Sequence, residues 1–225
     1  MERNVAAIVR GPAAVREEVR PWSAEDAGAF LAVAAEDRLH ALFAVGVALG
    51  LRKGELLGLR WQDVDLGGGL LHVRQSAQRV HGVGMVFGPP KSSRSRRDTP
   101  LPAYAVRVLR DHRVKQAEER LALGPYWEDT GLVFTSTIGT VIEPRNLART
   151  LDRLIVEAGV RRIRFHDLRH TCASLLLAQG VPPRVVMDVL GHSQFSITMD
   201  LYSHVIPSAL RDAANAMDRT LGRSE

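Results

Sequence analysis

Two hydrophobic periods run along this chain, and the switch between them marks out its elements. From "PWSAED" onward apolar residues recur at helical spacing. Two apolar helices are expected, at about 24–35 and 38–49, with Ser23 as N-cap and Glu25 and Asp26 in the first turn. "GLRKGELLGLRWQDVDL" predicts a short helix bounded by Gly50 and Gly58, then a turn. The period then shortens to two. "LLHVRQ" and "GMVFG" read as strands, with Gly82 and Gly84 between them. "PPKSSRSRRDTPL" continues into a hairpin tip and a returning strand. Pro89 and Pro90 keep that strand at a sheet edge, because proline cannot donate to a ladder. After Pro102 the helical period returns, through about Leu121, and "LVF" (132–134) reads as a short buried strand. Helices are expected from Pro144 to Ala158, over about 166–178, and over "VPPRVVMDVLGH", which has proline at its start and Gly191 at its stop. A short helix carries Tyr202, and Pro207 opens a last one over about 208–221. The expected fold class is α+β, mostly helical with one small antiparallel sheet.

Composition narrows the setting. A chain of 225 residues, 45% of them hydrophobic, can bury a real core, so 22–225 is expected to form one domain. Gly11, Pro12 and Pro21 punctuate a charged stretch, and residues 1–21 read as a linker or remnant ahead of that domain. The longest apolar run, "LHALFAVGVALGL" (39–51), is too short to span a bilayer, and the first twenty residues lack the apolar core of a signal peptide. The single cysteine, Cys172, rules out an intramolecular disulfide framework and fits a small core residue in a reducing compartment. A cytoplasmic protein with no membrane partner is expected. The net charge of +5 favours a polyanionic partner, most often nucleic acid; a solvated basic surface would give the same number.

"HDLRHTCASLLLAQG" (166–180) poses the chemical question. At 100° per residue His166, Arg169 and His170 share one face, with Leu168, Cys172, Leu175 and Leu176 opposite. The apolar face is expected to be core and the polar cluster to point away from it; Ala173 and Leu177 fall on the polar side further along, so that side is expected to become buried there. Three readings apply. A helix N-terminus with an arginine suits a phosphate. Histidine can cap a core helix while arginine forms a salt bridge. His166 and His170 have the i, i+4 spacing of a zinc helix, but "DLR" between them lacks a catalytic glutamate and Arg169 would repel a cation.

Other segments carry their own cations. Arg52 starts a short helix with Glu55 at i+3, "KSSRSRR" (91–97) puts four positive charges at a hairpin tip, His192 follows a helix stop and Tyr202 sits in "DLYSHV". Each has a plain structural reading alone: a surface ion pair, a solvated loop, a cap, a core tyrosine. Asp63, Asp65 and Asp167 are scattered and read as turn or capping residues, so no carboxylate cluster offers itself to a metal.

In order and local context, "GLRKGELLGLRW", "PPKSSRSRRDTPL", "FHDLRHTCASLLLAQG", "VMDVLGHSQFSIT" and "MDLYSHV" resemble the tyrosine recombinase (phage integrase) family over about residues 22–210. The resemblance implies the catalytic fold of DNA breaking-rejoining enzymes. By position, Arg52, Lys91, His166, Arg169 and His192 become the active-site shell and Tyr202 the nucleophile, while Arg94, Arg96 and Arg97 hold DNA phosphates. The family's separate core-binding domain, which completes a clamp on DNA, finds no counterpart in the short stretch before residue 22.

The activity so implied is site-specific strand transfer through a 3′-phosphotyrosyl intermediate. It needs no nucleotide cofactor, because the covalent bond keeps the energy of the phosphodiester, and no metal, because fixed guanidinium groups meet the charge of the transition state. Double-stranded DNA is the implied partner. Self-association is expected on it, as a tetramer in the synapse and a monomer or weak oligomer alone, with the 208–221 helix a candidate for exchange between protomers. Such a protein would work at the nucleoid. A type IB topoisomerase shares the tyrosyl chemistry and is one alternative. A non-catalytic DNA-binding regulator is another, since 181–202 resembles a helix-turn-helix at low resolution.

Overall fold

A helix without a polar face needs cover on every side. The computed structural model gives α2 (His40–Leu49) that cover, burying every residue from Ala41 to Val47. The structure describes residues 20–90 and 96–191, together with Asn215, Met217, Asp218, Thr220 and Leu221, which are helical. Around α2 pack α1 (Ala24–Ala34), α3 (Lys53–Leu57), α4 (Ala103–Leu123) and α6 (Asp167–Ala178), while α5 (Pro144–Glu157) lies against α1. Ser23 caps α1 as expected, its hydroxyl accepting from the Asp26 backbone N–H and the Asp26 carboxylate accepting from Ser23 N–H. The Trp22, Phe30 and Phe43 rings pack through the core, the first pair tilted at a centroid distance of 4.8 Å and the second edge to face at 5.4 Å. Trp22 also ties the start of the domain to α6: its backbone N–H donates to Thr171 Oγ1 (3.1 Å) and its indole to the Arg161 carbonyl (2.8 Å).

The β-structure departs from the single expected sheet. β1 (Val64–Asp65), β2 (Leu70–Val73) and, further along, β5 (Arg97–Pro100) form one antiparallel sheet with β2 central. β3 (Ser76–Val80) and β4 (Gly84–Gly88) form a separate hairpin. Two strands, β1 and β3, go beyond the sequence reading; the longer, β3, hides because "SAQRV" buries only Ala77 and so lacks an apolar alternation. Its one buried residue packs on α3. A Cβ on Gly54 would stand 2.4 Å from Ser76 Oγ and 2.7 Å from the Ala77 carbonyl, so glycine is what lets the hairpin approach this helix. β5 is an edge strand, as expected of the returning chain, with Arg97 opposite Val73.

The "LVF" segment is buried but does not form a strand. Leu132 makes an isolated bridge to Arg60, and the Val133 N–H donates to the Leu59 carbonyl at 2.8 Å. The last helix described from end to end, α7 (Pro183–Leu190), packs against α6 and ends at Gly191 in the left-handed conformation, φ 67°. The expected helix around Tyr202 lies outside the described residues. Among the described residues no helix is long and apolar enough to cross a membrane.

Candidate active site

A helix leaves its last carbonyls without intrahelical partners, and the macrodipole makes that end negative. At the end of α7 three consecutive carbonyls are each taken by a different arginine. Arg97 Nε donates to Val189 (2.9 Å), Arg169 Nη2 to Leu190, and Arg52 Nη2 to Gly191 (3.0 Å). These arginines come from β5, from α6 and from the residue before α3, and the chain brings them together only in the folded state. The next residue after Gly191 is His192.

Glu55 provides the balancing charge. Its carboxylate accepts from Arg52 Nη1 (2.8 Å), from Arg97 Nη2 (3.1 Å) and from the Arg52 backbone N–H (3.0 Å). The Glu55 side chain is only 2% exposed. Burial pushes its carboxyl up, but the charge of Arg97 and hydrogen bonds from Arg97 and Arg52 outweigh it, and the net direction is down. Glu55 therefore stays ionised inside the protein. The sequence alone presents it only as a surface partner of Arg52. The signal for its burial is its place in "GELLGL", a charged residue among apolar ones on a helix that must pack.

Arg169 overturns the expected division of faces on α6. It is one of the largest fully buried side chains, 2% exposed, and does not point away from the core. Besides Leu190 its guanidinium reaches the carbonyl of Gly50 (2.6 Å), the C-cap of α2. It thus joins the C-terminal ends of two helices. Burial, and then the neighbouring Arg52, lower its pKa to about 9, which leaves it protonated at neutral pH. Leu175 and Leu176, expected as core, are only partly buried, while Ala173 and Leu177 are buried. Leu168 and Cys172 are buried as expected, and Arg169 joins them in the interior because it finds carbonyl acceptors there.

Gly50 makes that arrangement possible. Its φ is 59°, and a Cβ there would come within 2.3 Å of Leu190 Cδ2 and 3.2 Å of Cys172 Cβ. Cys172 is a small core residue, as expected, its thiol pushed up to about 12 by burial.

His166 is the residue before α6 and opens onto solvent; His170 lies one turn on, and the two rings meet edge to face at 5.1 Å. Partial burial, then the charges of His170 and Arg169, hold His166 below its ordinary range. Burial and Arg169 likewise lower His170 against the pull of Asp167. Asp167 closes the turn that leads into α6, accepting from the Arg164 backbone N–H at 2.8 Å. Asp63 pairs with Arg60, and Asp65 accepts from Gly67 and Gly68 in a turn.

The structure thus brings Arg52, His166 and Arg169 into one region. Lys91, Arg94, His192 and Tyr202 lie outside the described residues. Arg96 is exposed at the start of the returning chain. Arg97, grouped by sequence with a solvated basic tip, instead turns inward, its side chain 8% exposed on Glu55 and Val189.

The chain matches the model of the phage integrase family over residues 24–208. It is 35% identical over 215 residues to a tyrosine recombinase XerC-like protein of Caldanaerobacter subterraneus subsp. tengcongensis, and this alignment covers 91% of the chain and 55% of the relative. It is 30% identical over 270 residues to an integrase of Saccharopolyspora erythraea, with 97% and 61% covered. The chain therefore spans little more than half the length of these relatives. The fold is shared with the Tn1549 transposon integrase solved in complex with circular intermediate DNA, at a TM-score of 0.75 and 19% identity over 90% of this chain and 68% of that one. With the family match running from the first turn of α1 past the end of α7, the chain belongs to the phage integrase family.

Proposed function

We propose that this chain is the catalytic part of a site-specific DNA recombinase. The observation that carries this reading is the meeting of Arg52, Arg97 and Arg169, from three separate segments, at the carbonyls that precede His192. In this reading the Tyr202 phenol oxygen attacks the scissile phosphorus, the bond to the 5′-oxygen breaks, and a 3′-phosphotyrosyl ester forms. A second 5′-hydroxyl then attacks that ester and releases the tyrosine, so the phosphodiester count is conserved and no nucleotide is hydrolysed.

The parts divide as follows. Arg52 and Arg169 meet the phosphate oxygens, whose charge grows in the transition state, and His192 donates a further hydrogen bond. His166 takes the phenol proton; its lowered pKa keeps it neutral and able to accept at pH 7. Lys91 returns a proton to the leaving 5′-oxygen. Arg94 and Arg96 hold flanking phosphates. Arg97 acts through position instead, fixing the end of α7 and the carboxylate of Glu55.

Double-stranded DNA is the partner, which places the protein at the nucleoid, and protomers associate on it as a tetramer in the synapse. Residues 22–225 form the catalytic domain, preceded by a linker at 1–21, and the 208–221 helix docks on a neighbouring protomer. Met217 and Leu221, four apart and 56% and 72% exposed, are the apolar side chains this segment would bring to such a contact.

The test uses a pool of nicked duplexes of randomised sequence. The chain should give a covalent protein–DNA adduct that survives denaturant. Tyr202→Phe should abolish the adduct and leave DNA affinity within about twofold, a change of ~0.4 kcal/mol. An adduct that persists in Tyr202→Phe removes the nucleophile from this reading, and DNA binding without any adduct removes the activity.

A further inference from the structure

Beside His166 lies a cleft of about 580 Å³, walled by α5, by the irregular segment 161–164 and by the start of α3. Five cations line it, Arg20, Lys53, Arg161, Arg162 and Arg164. Only two carboxylates, Asp152 and Asp167, stand against them. None of these residues is among the side chains that sequence or site geometry assigns to the reacting phosphate. The cleft begins where that site ends: Lys53 follows Arg52, and His166 lines both.

The segment is built to present charge. Ile163 is buried and anchors it, while Arg161, Arg162 and Arg164 are exposed. Arg161 Nη2 donates to the carbonyl of Pro21 (3.0 Å), which ties this wall to the start of the domain. Arg162 forms a two-pronged pair with Asp152 (3.0 and 3.1 Å), and Arg164 one with Asp167. The guanidinium groups of Arg162 and Arg164 remain largely in solvent; the Arg162–Asp152 pair is exposed on both sides and contributes at most about 1 kcal/mol, so it can be exchanged for a phosphate, whereas Asp167 is buried and holds Arg164 in position at the cleft. These pairs hold the side chains in place without neutralising the cleft.

We infer that this cleft takes the sugar-phosphate backbone of DNA flanking the reacting phosphate, with Arg162 and Arg164 each neutralising a phosphate. The inference deepens the recombinase reading and rests on it for the position of the scissile phosphate. The binding itself is sequence-independent and salt-dependent, because each phosphate neutralised releases counterions. Lys53 and Arg20 line the same cleft and add to its positive charge.

The test measures affinity of the 225-residue chain for a duplex of about 30 base pairs of mixed sequence, as a function of salt. Arg162→Gln/Arg164→Gln should flatten the slope of log K against log salt by about two, near one for each phosphate left without its guanidinium. Arg162→Gln alone, which disturbs only a surface pair, should flatten it by about one and serves if the double variant does not fold. Arg162→Lys/Arg164→Lys should restore most of the slope. Removing the same charge from exposed α4 positions, Arg107→Gln/Arg120→Gln, should change it far less. The inference is overturned if the single and double variants keep the parent slope, or if the α4 variant loses as much. It is also overturned if poly-glutamate binding is lost in the cleft variants while duplex binding is not. Adduct formation reads the tyrosyl chemistry separately. A flattened slope in a protein that never forms an adduct leaves the cleft standing and removes the recombinase, and the reverse result removes only the cleft.

Discussion

Glu55 lies 3.1 Å from Arg97, and both side chains are buried, although one belongs to α3 and the other to β5. Removing one partner of a buried pair leaves the other charge uncompensated, at a cost of about 3–5 kcal/mol. Glu55→Gln should therefore lower unfolding stability by about 3 kcal/mol in a urea titration, and more than Arg52→Gln does, since the Arg52 side chain is 36% exposed. The sign with pH follows from the lowered carboxyl of Glu55. Its stabilisation is fully present above the unfolded value of about 4.3 and is lost as pH falls through the lower folded value. Glu55→Gln should flatten that acid limb; an unchanged limb would mean that Glu55 is not the group responsible.

Gly50 is held at φ 59° between Leu190 and Cys172. Alanine there meets a left-handed backbone, which costs about 1–2 kcal/mol, and a methyl that must displace Leu190. Gly50→Ala should lower the melting temperature, and it should slow adduct formation by more than it weakens DNA binding, because moving Leu190 moves the end of α7 and with it His192. Equal loss of binding and cleavage would instead indicate a general loss of folded protein.

The helices around the core are open to sequence reading because their signals are local. Ser23 with Asp26, Pro144, and the Pro183–Gly191 pair mark ends that the structure reproduces within a few residues. The candidate site residues Arg52, His166 and Arg169 can be picked out through their motifs, since each stands in a distinctive short context. What the sequence withholds is direction. Nothing in "DLRHT" says that Arg169 will find the carbonyls of Gly50 and Leu190, which lie in other segments, and so its burial cannot be read from α6 alone. Arg97 is one cation in a run of four until tertiary structure turns it inward to Glu55. The hairpin β3–β4 is half hidden for a related reason: its approach to α3 is written as the absence of side chains at Gly54 and Gly58.

His166 and His170 are both held below the ordinary histidine range. For a histidine with a depressed pKa the unfolded chain binds the proton first. Stability is then full above about pH 6.5 and falls as pH drops toward the folded values. His170→Gln should reduce that loss between about pH 6.5 and 5 in thermal melts. It should also raise the apparent pKa of the acid limb of cleavage, because one neighbouring positive charge that opposes protonation of His166 is gone. A limb that does not move would separate His170 from the ionisation of His166.

Arg169 offers the sharpest separation of fold from chemistry. Its two terminal nitrogens reach carbonyls at the ends of different helices, Gly50 of α2 and Leu190 of α7. Lysine keeps the charge but has a single head group and no planar fork. Arg169→Lys can satisfy one carbonyl and leaves the other buried without its donor, which costs about 1–3 kcal/mol. The variant should fold, with a reduced urea midpoint. Its cleavage should fall further than stability alone explains, by about 100-fold, because the fork that would meet two phosphate oxygens is also lost. Salt dependence of DNA affinity should stay close to that of the parent, since the charge is retained. If cleavage recovers fully when the variant is stabilised by low temperature, Arg169 is a structural tie between two helix ends and the phosphate is held by Arg52.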